Sequence, residues 1–136
     1  MNPALEGTML ERSPFVDAKG GVDVKGLHSL LEFDQATMAK TLGVSRQAVS
    51  QQLQKKARFV RPRTESTRKF LHELNQVIAL LRALTDPATS EAEMRRWLHS
   101  PNRALGLKRP VDLIKQRKLG PLREALMDAL TAAHGG

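Results

Sequence analysis

The chain has 136 residues, 40% of them hydrophobic, with no cysteine and a formal charge of +8. That is room for one ordinary domain or two small ones, and enough apolar residues to rule out global disorder. It excludes disulfides, a thiolate nucleophile and any cysteine-based zinc site, while the basic balance favours a polyanionic partner.

The charge is unevenly placed. Residues 27–63 hold 7 basic and 2 acidic side chains, and residues 99–136 hold 7 and 3, whereas residues 1–26 and 64–98 are close to balanced. No apolar run approaches the roughly 20 residues of a membrane span. With no apolar segment behind a basic start, a soluble cytoplasmic protein without a signal peptide is expected.

Residues 1–26, with Pro3, Gly7, Pro14, Gly20, Gly21 and Gly26 and no helical period, read as a loose arm. Brief strands at Phe15-Val16 or Val22–Val24 are compatible with it. Leu27, Leu30 and Leu31 are spaced for one face of a short helix over 27–33. Asp34 is placed to cap a helix over Gln35–Leu42, Gly43 to end it in the left-handed region, and Ser45 to cap the next, running to about Lys56.

The pair spanning Gln35–Lys55 has the residues that two helices crossing through a tight turn require. Ala39 is small where the helices touch, Gly43 accepts positive φ, and Met38, Leu42, Val44 and Val49 can lock the pair together. It resembles the helix-turn-helix of bacterial repressors, especially the phage-repressor-like group. One departure is Gln52 where a closing apolar residue is expected, with Leu53 one place later.

The second helix exposes Arg46, Gln47, Ser50, Gln51 and Gln54 behind Ser45 and ends in Lys55, Lys56 and Arg58. Polar side chains near a recognition-helix start reach base edges, and a basic end holds phosphates. Arg46 suits guanine and Gln47 adenine. Double-stranded operator DNA is therefore the expected partner. The alternative for the motif is an ordinary helical corner.

The longest predicted helix covers Thr64 to Thr85. Its stripe of Phe70, Leu74, Val77, Leu81 and Leu84 is either a homodimer seam or intrachain core. Asp86-Pro87 ends it, and Ser90 with Glu93 has the spacing of a capping box for a helix carrying Met94, Trp97 and Leu98. A short element at Ala104–Gly106 follows. Then come a Pro110-led helix over Val111–Arg117 and a last amphipathic helix opened by Gly120-Pro121.

The fold class expected is all-α, divided into the arm 1–26, a DNA-binding domain over 27–85 that includes the long connecting helix, and a C-terminal domain over 86–136. Catalysis finds no support. His28, His72, His99 and His134 lack ligand spacing, and there is no Gly-rich phosphate loop. No cofactor, metal or membrane partner is expected.

The C-terminal words are more distinctive. Trp97-Leu98, Pro101-Asn102, Ala104-Leu105-Gly106, Arg109-Pro110 with Asp112-Leu113, Gly120 before the last helix, and His134-Gly135 at its end occur in this order over about residues 88–136. This stretch resembles the toxin-binding domain of the Xre, MbcA and ParS antitoxins. It departs from their pattern in lacking an acidic residue just before Gly120 and in a tail that stops at Gly136.

The resemblance implies a type II toxin–antitoxin pair. The antitoxin's C-terminal part covers the active-site cleft of a RES-domain toxin that consumes NAD⁺ or transfers its ADP-ribose, and its helix-turn-helix represses the shared operon. Carried onto this chain, the toxin-binding candidates are Leu126, Leu130, Ala133, His134, Gly135 and Gly136. The residues alone also allow Trp97, Leu98, Leu105, Leu113 and Leu126 to be the small domain's core. They allow, too, a stand-alone dimeric transcriptional regulator whose C-terminal domain only dimerises.

Overall fold

The computed structural model describes residues 15, 22–54, 59–60 and 64–135. The fold is mostly helical, as the apolar periodicities require. In chain order it runs β1 (Val22–Asp23), α1 (Val24–Leu31), α2 (Gln35–Leu42), α3 (Arg46–Gln54), β2 (Phe59–Val60), α4 (Glu65–Ala83), α5 (Ser90–Leu98), a 3₁₀ turn (Arg103–Leu105), α6 (Pro110–Lys115) and α7 (Gly120–Gly135). The chain clusters into two compact units, Arg12–Asn75 and a second that takes in Gln76–Gly136. The division falls inside α4 rather than at the Asp86-Pro87 turn.

In the first unit, β1 and β2 pair antiparallel, Val22 opposite Val60 and Asp23 opposite Phe59. Helix α1 begins at Val24, ahead of the predicted Leu27, because the Asp23 carboxylate accepts the Gly26 N–H at 3.1 Å and supplies the cap. Part of the stretch read as an arm is thus ordered onto the unit. Asp23 also donates its N–H to the Phe15 carbonyl at 2.7 Å, and a Cβ at Gly26 would lie 2.6 Å from the Phe15 ring. The remainder of 1–26 lies outside the described residues. Val24, Leu27, Leu30, Leu31, Phe33, Met38, Leu42 and Val49 are buried, and α3 packs against both α1 and α2.

Phe70, Leu74, Val77 and Leu81 are all buried within the single chain, Phe70 and Leu74 in the first unit and Val77 and Leu81 in the second. Leu84 alone of the set reaches solvent, at 36%.

The second unit is built from short helices and tight turns, with Met94, Leu98, Leu105, Val111, Leu113, Ile114, Leu119, Leu122 and Leu126 buried. Helix α5 packs on α6, and the 3₁₀ turn packs on α7. The expected capping box does not form. Thr89 is the N-cap and makes no side-chain bond, while the Ser90 hydroxyl pairs with the Thr85 hydroxyl at 2.6 Å. The Glu93 carboxylate instead accepts the Asp86 N–H at 2.8 Å. Both capping-box residues are spent on the turn between α4 and α5. Helix α6 starts at Pro110 and stops at Lys115, short of the predicted Arg117. Arg117 takes positive φ there (57°), and the Arg117 and Lys118 N–H groups bond back to Ile114 and Leu113.

Candidate functional site

Two places hold the candidate residues, one in each unit. In the first, Asp34 accepts the Thr37 N–H at 2.7 Å to open α2. Gly43 ends it at φ 66°, ψ 35°, its own N–H returning to the Ala39 carbonyl. The Val44 N–H also reaches Ala39, at 3.1 Å, and Ser45 Oγ accepts the Ala48 N–H at 3.0 Å to start α3. Five sequence signals, at Asp34, Ala39, Gly43, Ser45 and Val49, therefore meet in one corner.

Helix α3 is held from one side only. Val49 is fully buried, Leu53 and Gln52 are half-buried, and Arg46, Gln47, Gln51 and Gln54 are exposed with Ser50 half-buried beside them. Gln47, Gln51 and Gln54 follow an i, i+4, i+7 spacing, which places them along one face. The rest of that predicted set, Lys55, Lys56 and Arg58, lies outside the described residues.

The second place begins where α5 ends. Asn102 organises the turn after it: Oδ1 accepts the Ala104 N–H at 2.9 Å, and its carbonyl accepts Leu107 N–H at 2.8 Å. Its N–H donates to the Lys108 carbonyl at 3.1 Å, so Asn102 and Lys108 form an isolated antiparallel bridge. Arg109 then grips Asp112 with two hydrogen bonds, Nε to Oδ2 and Nη2 to Oδ1, both 3.0 Å. These bonds hold the Asp112 carboxyl below its ordinary range, helped by the charges of Arg109, Lys115 and His99 against partial desolvation. The same hydrogen bonds raise the Arg109 guanidinium above its ordinary value. The pair clamps the first turn of α6, where a carboxylate also suits the helix dipole.

On α7 the candidates separate. Leu126 is only 1% exposed and belongs to the unit's core, which removes it from the outward-facing set. Leu130 is half-buried and Ala133 exposed, while Gly136 lies outside the described residues. His134 and Gly135 complete the helix backbone. Trp97, read as core, is half-buried, whereas Leu98, Leu105 and Leu113 are buried as expected.

Residues 80–130 match the family model for the antitoxin Xre/MbcA/ParS C-terminal toxin-binding domain. The chain carries a toxin-binding domain of that family. The match covers the end of α4, all of α5, the Asn102 turn, α6 and α7 as far as Leu130, and a toxin-binding domain implies a toxin partner. It begins earlier than the resemblance read from the sequence words, and it ends before Ala133, His134, Gly135 and Gly136. No curated protein and no solved structure matches the chain.

Among the described residues no group of His, Cys, Asp or Glu could hold a metal ion, and no helix is long and apolar enough to cross a membrane. One residue that sequence reasoning passed over is Leu107, a large apolar side chain left 67% exposed in the Asn102 turn. Its signal is a leucine directly after Gly106, where a tight turn ordinarily takes a second small residue.

Proposed function

We propose that this chain is an antitoxin that neutralises a RES-domain toxin, one that consumes NAD⁺ or transfers its ADP-ribose, by covering the toxin's active site with its C-terminal domain. The observation that carries the reading is the toxin-binding family match over residues 80–130, on a unit with its own buried core. Leu130, Ala133 and the tail His134–Gly136 are the segment proposed to enter the cleft, with Leu126 seating α7 from beneath. A Gly-Gly segment has no side chains to obstruct a narrow cleft.

The α2–α3 corner is proposed to act as a helix-turn-helix on operator DNA. Supporting it are the one-sided burial of α3, its row of exposed Arg46, Gln47, Gln51 and Gln54, and the excess of base over residues 27–63. Lys55, Lys56 and Arg58 would hold phosphates without reading sequence. Pairing on a two-fold operator calls for a homodimer. With the α4 stripe buried, its contact must use another surface. The DNA-binding domain is proposed to run from α1 through α4 and the toxin-binding domain from α5 to α7, with α4 serving both functions.

The DNA half is tested by a gel-shift titration on the DNA upstream of the operon. Gln47→Ala is expected to lose about 1–3 kcal/mol on the operator and to relax preference at one base pair, with binding to random DNA little changed. Equal losses on operator and random DNA would remove Gln47 from base reading. Failure of the parent protein to shift the operator would overturn the repressor role.

A further inference from the structure

Leu107 stands where a leucine is least expected. The turn Leu105–Lys108 is closed by the Lys108 N–H donating to the Leu105 carbonyl at 3.3 Å, and both central residues have positive φ, 66° at Gly106 and 67° at Leu107. Two successive positive φ angles are the signature of a type I′ turn, whose central positions favour Gly, Asn or Asp. Gly106 meets that demand. Leu107 carries its Cβ into the left-handed region, where it crowds the backbone.

The turn is not free to relax that strain. The Leu107 N–H is bonded to the Asn102 carbonyl at 2.8 Å, the Asn102 N–H to Lys108, and Asn102 Oδ1 to Ala104. Beneath it Leu105 is buried, and the 3₁₀ turn is packed on α7. The strained side chain is left 67% exposed, so little burial within the chain offsets its cost. Strain held at an exposed apolar tip is a feature of ligand and partner contacts rather than of folding. Around it in the same hairpin stand the exposed cations Arg103 and Lys108.

We propose that Leu107 is the apolar anchor of the toxin contact, entering an apolar pocket on the toxin whose acidic rim meets Arg103 and Lys108. This rests on the toxin-binding reading above, because the hairpin lies inside the matched span 80–130. DNA phosphates would engage the two cations but offer the leucine no seat. An acidic protein surface with an apolar hollow engages all three.

The test uses the full chain and the RES-domain toxin proposed above as its partner, with Leu107→Gly and Leu107→Asp as variants. Glycine suits the backbone at φ 67°, so Leu107→Gly is expected to leave Tm unchanged or raised while weakening toxin binding roughly tenfold or more. Leu107→Asp, tolerated by the same backbone and repelled by an acidic rim, is expected to weaken it further. Toxin affinity equal to the parent's in both variants overturns the proposal. So does a loss of operator binding with toxin binding intact, the mark of a DNA contact. If the parent itself binds no toxin, the broader reading fails, an outcome distinct from failure at Leu107 alone.

Discussion

Leu126→Ala is expected to cost the C-terminal unit about 2–5 kcal/mol, the range for removing a buried leucine that leaves a cavity. Leu126 is 1% exposed and shares the buried core with Leu122, Ile114 and Leu98. No polar group lies among these four, so nothing there compensates for the lost contacts. Small units have little stability to spare. Truncation should therefore lower the thermal midpoint by several degrees or unfold the unit outright. The check is thermal unfolding by circular dichroism, read beside Leu126→Met, which conserves volume and should cost less than about 1.5 kcal/mol. If Leu126→Ala kept the parent midpoint while toxin binding fell, Leu126 would be a contact residue and the core assignment would be wrong.

Gly43→Val should be comparably damaging to the first unit, by about 2–4 kcal/mol, because two penalties add there. At φ 66° a β-branched residue crowds its own backbone. A Cβ at that position would also lie 2.8 Å from Thr67 Oγ1 and 3.0 Å from Thr67 Cγ2. Thr67 cannot easily turn away. Its hydroxyl accepts from Thr64 Oγ1 at 2.9 Å and its N–H donates to that same oxygen at 3.2 Å, the cap that starts α4. Urea unfolding of the full chain measures the loss. Gly43→Asn separates the two causes: asparagine tolerates the left-handed backbone but still brings a Cβ, so it should fall between parent and Gly43→Val. An asparagine variant as stable as the parent would show that crowding against Thr67 contributes nothing.

The corner around Gly43 was legible in the sequence because each of its signals is local. Asp34, Gly43 and Ser45 act on amides no more than four residues away, and a cap of that kind needs no knowledge of the rest of the chain. The Ser90–Glu93 pair shows where such reading stops. It has capping-box spacing, yet Ser90 bonds to Thr85 and Glu93 to Asp86, a choice set by how α4 ends rather than by the helix it precedes. The α4 stripe poses a similar problem, since periodicity tells that Phe70, Leu74, Val77 and Leu81 must be covered but not by what. Leu126 and Leu130 share one face of α7, yet one is core and the other half-buried, a difference decided by the neighbouring turns. Leu107 was missed because an exposed leucine in a loop carries no periodic signal. Only its positive φ, together with its exposure, marks it out.

The most direct measurement of the proposed function is inhibition of the RES-domain toxin proposed as this chain's partner. The toxin's consumption of NAD⁺ would be followed while the full-length chain is titrated in, beside a Leu126→Ala chain with its C-terminal unit disrupted. NAD⁺ loss is expected to fall to background once the chain reaches stoichiometric equivalence, and the disrupted chain is expected to need a large excess. NAD⁺ consumption unchanged at a large excess of the folded parent chain would contradict the proposed function.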